Sequence, residues 1–207
     1  MRPAATRRAA VGGCALAAVI SATAAAQQPP VVACEGPFGR NATRADVARV
    51  FGQDAVDQEV DGAEGKKRAA TVLHPDDPKR RLEIVWSDAT ARQRPTIRIT
   101  GQSEWSTANG VRLGMSLAEI ARLNGKPFRL YGFEWDYGGR VASWQGGKLA
   151  RPLAGGCTLS LSLGIDDKTP PALLDKVSGD TAYSSTNPAM WAINPRVFEI
   201  TLGFGRR

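Results

Sequence analysis

The chain has 207 residues, 43% hydrophobic and 23% charged, which supplies enough apolar material for a packed core and excludes an intrinsically disordered chain. The formal charge is +7, but Arg2, Arg7 and Arg8 contribute to it from the first eight residues. The remaining excess is too mild for a nucleic-acid surface, so no nucleic-acid partner is expected. One histidine, His74, and three cysteines leave no set of residues for a zinc site, so no metal and no cofactor are expected.

Residues 1–26 read as a signal peptide: a basic start, a short apolar run from Val11 to Ile20, and the small residues Ala24-Ala25-Ala26 before Gln27. The run falls short of the roughly 20 apolar residues of a transmembrane helix. Cys14 after Val-Gly-Gly makes only a partial lipoprotein box. The expectation is a periplasmic or secreted protein, cleaved near Ala26, with no transmembrane segment in the mature chain. Export leaves Cys34 and Cys157, two thiols in an oxidising compartment, which predicts a disulfide between them.

Residues 27–39, with Pro29-Pro30, form an extended lead-in. Residues 40–108 read as a first repeat. Thr43 and Asp46 predict a capped helix that stops at Gly52, although the short Asp side chain is a poorer box partner than Glu. Asp54 to Glu64 is an acidic stretch with no assigned element, and Gly62 to Arg68 is a polar turn. Strands are predicted over Ala70 to Leu73, Leu82 to Trp86 and Thr96 to Thr100, the last with Ile97 and Ile99 on one face and Arg98 on the other. His74-Pro-Asp-Asp-Pro78 is the turn between the first two, and a lone histidine there reads as a surface residue.

Residues 109–207 read as a second repeat with an insertion at about 165–195. Ser116 and Glu119 form a capping box, Met115 and Ile120 a hydrophobic staple, and Asn124-Gly125 a stop. Thr43, Asp46, Val47, Arg49 and Gly52 fall under Ser116, Glu119, Ile120, Arg122 and Gly125. Arg81 to Trp86 and Val197 to Leu202 echo one another as well. Leu130 to Tyr137 then alternates as a strand, Gly138-Gly139 marks a hairpin turn, and Arg140 to Gln145 is the return strand. A glycine-rich passage leads to the sharply alternating strand Cys157 to Leu163. A short helix from Pro171 through Val177, a long polar loop from Ser178 to Pro195 and a closing strand from Phe198 to Phe204 complete the chain. The fold class is α+β: two tandem units of helix plus antiparallel strands forming one sheet with helices on one face.

The sharpest candidate site is the aromatic row Tyr131, Phe133, Trp135 and Tyr137, with Trp144 on the return strand and Arg129 and Arg140 at its ends. Two readings stay open. The row packs as core, or it forms a partner-binding face, since four aromatics exceed what a two-turn helix covers and Tyr and Trp suit interfaces. Glu134 and Asp136 share the opposite face of the same strand; a solvated face is the plainer reading and a glycosidase carboxylate pair the sharper one. His74 has no nucleophile-elbow serine, so no catalytic residue is assigned.

The segment Gly114-Met-Ser-Leu-Ala-Glu-Ile120 with Gly125, together with Thr43 to Gly52, resembles the helix starts of the beta-lactamase-inhibitor-protein-like fold, a group that includes the BamE-type outer-membrane assembly lipoproteins. The resemblance implies helices on one sheet face and a concave opposite face that binds protein. The function expected is non-catalytic binding of another envelope or secreted protein, as inhibitor or assembly partner. The alternatives are a structural envelope protein without a discrete site and a cell-wall glycan hydrolase.

Overall fold

The computed structural model describes residues 29–62, 65–87 and 94–205; the signal segment and Cys14 lie outside them. Alternating burial builds the central layer. Six strands, β2 (Ala55–Asp61), β3 (Lys67–Leu73), β4 (Leu82–Val85), β5 (Thr96–Thr100), β9 (Thr158–Gly164) and β11 (Arg196–Gly203), pair in the order β2-β3-β4-β5-β11-β9. Every pairing in this sheet is antiparallel. Register decides which side chains share a face. Ile84, Ile97, Leu202 and Leu159 stand in one cross-strand row and belong to the main core. The next row, Val72, Glu83, Arg98, Thr201 and Ser160, faces the other way.

Two helices of matching design cover the apolar face. In α1 (Arg44–Phe51), the Asp46 backbone N–H donates to Thr43 Oγ1 at 3.2 Å, and the Thr43 N–H donates to Asp46 Oδ2 at 3.0 Å. In α2 (Leu117–Asn124), Glu119 N–H donates to Ser116 Oγ at 3.3 Å and Ser116 N–H to Glu119 Oε2 at 2.8 Å. Both boxes are complete, so the short Asp46 side chain reaches its target after all. Gly125 ends α2 at φ 70°, a left-handed conformation open to glycine at little cost. Val47, Leu117 and Ile120 bury their side chains in the same core as the apolar sheet face.

The lead-in is fixed at two points. β1 (Val31–Val32) runs parallel to β6 (Ser106–Thr107), and Cys34 is bonded to Cys157 with Cα atoms 6.0 Å apart. Both cysteines are buried. Gly155, at φ 82°, lies so close that a Cβ there would collide with the Cys34 carbonyl.

Four expectations fail locally. Asp54 to Glu64 contains β2, an edge strand with polar residues on both exposed sides. The strand expected through Tyr137 stops early: β7 (Arg129–Tyr131) and β8 (Val141–Ser143) are three residues each, joined by a long looped excursion. The polar loop from Ser178 to Pro195 is replaced by β10 (Ala182–Ser184), which pairs with β7, and by α4 (Pro188–Ile193). Asn187 caps α4, its Oδ1 accepting from Ala189 N–H at 2.8 Å, and Met190 and Ile193 are buried. The short helix α3 (Pro171–Leu174) precedes them as expected. Finally, His74 is buried, not a surface residue. Its Nδ1 lies 3.2 Å from Asp54 Oδ1 and its Nε2 3.0 Å from Arg80 Nη2. A guanidinium can only donate, so Nε2 accepts and Nδ1 carries the proton. The ring is a structural link between two loops.

The caps and the disulfide give two checks. The Thr43 hydroxyl lowers the Asp46 carboxyl below its ordinary 3.8, and the Ser116 backbone N–H lowers Glu119 below its ordinary 4.5. Depressed carboxyls stabilise the fold fully above those ordinary values and lose that contribution as pH falls through the lowered ones. Thermal melts against pH will therefore show an acid limb that Glu119→Gln flattens, while Ser116→Ala costs about 1 kcal/mol at neutral pH. Reducing the disulfide, whose cysteines are 123 residues apart, will lower stability to urea by up to about 4–5 kcal/mol on the chain-entropy account.

Candidate functional site

The sheet face turned away from α1 and α2 carries a groove of about 590 Å³. Its floor is polar because register places Ser160, Ser162, Thr201 and Thr96 there, each one step from a core leucine or isoleucine. Beside the floor residue Arg98 lies a buried carboxylate, Glu83, that does not itself line the groove. Glu83 is 5% exposed and is held by two arginines: Arg98 Nε donates to Oε2 at 2.7 Å and Arg81 Nη2 to Oε1 at 3.0 Å. Charge-assisted bonds of this kind fix both the carboxylate and the directly opposed Arg98. Val60, Ala70 and Val72, with Val85, form a second, smaller apolar cluster beside the groove.

Two aromatic side chains stand at the rim, Tyr137 and Phe198, each 52% exposed. Phe198 is there because β11 has a bulge. Val197 pairs with Leu163 and Glu199 with Ser162, which leaves Phe198 unpaired and turned outward. Tyr137 is carried by the excursion between β7 and β8, which is stitched down on both sides. Phe133 N–H donates to Val177 O at 2.9 Å and Leu163 N–H to Gly139 O at 3.0 Å. Gly139, at φ 70°, has no room for a Cβ against the Leu163 carbonyl. Asp136, Arg140 and Glu199 complete the rim with charges of both signs.

The seven residues singled out from the sequence do not act as one face. Glu134 sits at φ 63°, a conformation uncommon outside glycine, and this breaks the alternation. Phe133 turns into the core. Tyr131, Trp135 and Tyr137 instead pack edge to face, with ring centroids 5.5 and 5.3 Å apart, as a ladder that runs outward to the exposed Tyr137. Trp135 Nε1 donates to Gly132 O at 3.1 Å. Trp144 lies apart from the row, half-buried against Phe128 at 5.4 Å, its Nε1 donating to Leu159 O at 3.2 Å. Arg129 donates to the Ala182 carbonyl and does not reach the groove. Of the seven, Tyr137 and Arg140 line it.

The carboxylate pair also separates. Glu134 accepts a hydrogen bond from Ser178 Oγ at 2.8 Å, whereas Asp136 faces the groove. Sequence reading missed Phe198, Glu83 and Glu199. Glu83 and Glu199 each sit between apolar neighbours in alternating strands, which is the pattern of a polar face opposite a core. Among the described residues, no group of three or more His, Cys, Asp or Glu side chains converges as a metal site, and no helix is long and apolar enough to cross a membrane.

What these features define is an α+β protein with one six-stranded antiparallel sheet, helices on one face and a polar groove with an aromatic rim on the other. No protein-family model, curated protein or solved structure matches the chain.

The clamp of Glu83 on Arg98 makes a direct prediction. Glu83→Ala will leave Arg98 without its buried counter-ion and lower the free energy of urea unfolding by about 3 kcal/mol. Replacing Glu83 and Arg98 together by leucine will recover most of that loss.

Proposed function

We propose that the chain is an exported, non-catalytic binding protein that holds another envelope or secreted protein in the groove on the sheet's uncovered face. The observation that carries this reading is the groove itself: a rigid, hydrogen-bonded floor with two half-exposed aromatics and arginines at its edge. Tyr, Phe and Arg are the residues on which interface energy concentrates. A buried disulfide suits the oxidising compartment to which the signal segment would send the chain.

Read as a tandem duplication, the order of elements is compatible with the likeness to the beta-lactamase-inhibitor-protein-like group. One half runs α1-β2-β3-β4-β5 and the other α2-β7-β8-β9-β11. Antiparallel β5 and β11 form the seam. Outward from it the order is β4, β3, β2 on one side and β9, β8, β7 on the other, with the Arg140–Ser162 bridge linking β9 to the smaller sheet. On this reading β5 is the counterpart of β11. The Arg81 to Trp86 echo of Val197 to Leu202 then reflects interior-strand patterning, not equivalent position.

A second reading, glycan hydrolysis, rests on Asp136 and Glu199, two carboxylates that line the same groove.

The test is affinity capture from a periplasmic extract with the mature protein and with a Tyr137→Ala/Phe198→Ala variant of equal stability. The binding reading expects a captured protein whose purified form loses roughly tenfold or more in affinity for the variant. Capture that ignores both substitutions contradicts it. Release of reducing sugar from cell-wall glycan, abolished by Asp136→Asn, would favour the hydrolase.

A further inference from the structure

At the far side of the sheet from β9 lies β2, whose outer edge pairs with no other strand among the described residues. It runs for seven residues with neither proline nor bulge, although such edges are commonly blunted. The ladder shows which backbone groups are free. Gly62 N–H donates to Lys66 O at 2.7 Å and His74 N–H to Asp54 O at 2.8 Å, at the two ends of the β2–β3 pairing. Hydrogen-bonded pairs recur at every second residue of an antiparallel ladder. Val56, Gln58 and Val60 therefore use their N–H and C=O groups on β3, and Asp57, Glu59 and Asp61 aim theirs outward.

The side chains select what can pair there. Asp57, Glu59 and Asp61 share one face of the strand, and Val56 and Val60 share the other, where Val60 joins the second apolar cluster. An antiparallel second copy of β2 would set these carboxylates against one another, which disfavours self-pairing. Asp57 accepts from Thr71 Oγ1, and Asp61 is bonded to Lys67 Nζ at 2.5 Å, which holds its carboxyl below the usual range. Glu59, at the middle of the acidic face, makes no hydrogen bond or ion pair among the described residues.

We propose that the outer edge of β2 is a strand-addition site, which takes an extended segment of another protein that alternates basic and apolar residues. The incoming backbone completes the outward N–H and C=O groups, a basic side chain meets Glu59, and apolar side chains extend the Val56 and Val60 surface. Asp61 also lines the groove, whereas Val56 and Glu59 do not, so substitution at Glu59 tests this edge without altering the groove's lining.

The probe is a synthetic fluorescent peptide of alternating lysine and valine, titrated into the mature protein, with a glutamate–valine peptide as the control. The expected result is saturable binding of the lysine peptide alone, weakened by salt, and new hydrogen-exchange protection at the amides of Asp57, Glu59 and Asp61. Glu59→Pro removes an outward donor while sparing the β3 ladder, and will weaken binding roughly tenfold or more. Glu59→Lys will weaken the lysine peptide and admit the glutamate one. Absence of saturable binding, protection confined to β9 and β11, or binding unchanged in Glu59→Lys overturns the proposal. The last two readouts hold even if the proline variant does not fold.

Discussion

One-sided burial across the six-stranded register is the constraint on which the rest of this protein depends. Leu159, Leu161, Ile200, Leu202, Ile97, Ile99 and Ile84 all face one way, and each such side chain contributes about 1.5–3 kcal/mol by leaving water. A slip of one residue between β5 and β11 would turn Thr201 and Glu199 into that core, so the slipped pairing is far less stable. The same constraint leaves a polar face of fixed composition. Glu83 opposite Arg98 lies on that face, and the pair fits only in the native register. Core and groove are thus two consequences of one alignment.

The helices and the disulfide attach to this layer in an ordered way. α1 and α2 have eight residues each, too short to persist alone, and each is stabilised by a reciprocal cap and by the apolar face it covers. The Cys34–Cys157 bond joins the lead-in to the residue just before β9, and so ties the chain's beginning to the far edge strand. The excursion from Gly132 to Gly139 shows how a local cost becomes a surface feature. A left-handed Glu134 separates a buried Phe133 from an exposed Tyr137 within five residues, and the hydrogen bonds to Val177 and Leu163 hold that reversal in place.

What was legible in the sequence is what local chemistry dictates. The two capping boxes, the alternation of β9, β5 and β4 and the cysteine pair are all written in neighbouring residues. β2 was not legible, because its two valines, Val56 and Val60, stand four residues apart among acidic and amide side chains, and only Val60 is buried. The aromatic row was misread because its alternation is real but its backbone is not extended: close approach at Gly132 and Gly139 decides the path, and this is a tertiary effect. α4 did leave a signal, Asn187 followed by Pro188, the N-cap and first-turn pair of a helix, hidden within polar surroundings. Phe198 reached the groove through a bulge that only the pairing of β11 with β9 discloses.

The central claim is that the face opposite the helices is where a partner sits. Site-specific photo-crosslinking tests it most directly. A benzophenone amino acid is placed singly at Tyr137, at Phe198 and at Val50, an exposed residue of α1, and the cells are irradiated intact. The account predicts one common adduct from the positions at Tyr137 and Phe198 and none from Val50. Adducts from Val50 alone would place the partner on the helical side and contradict it.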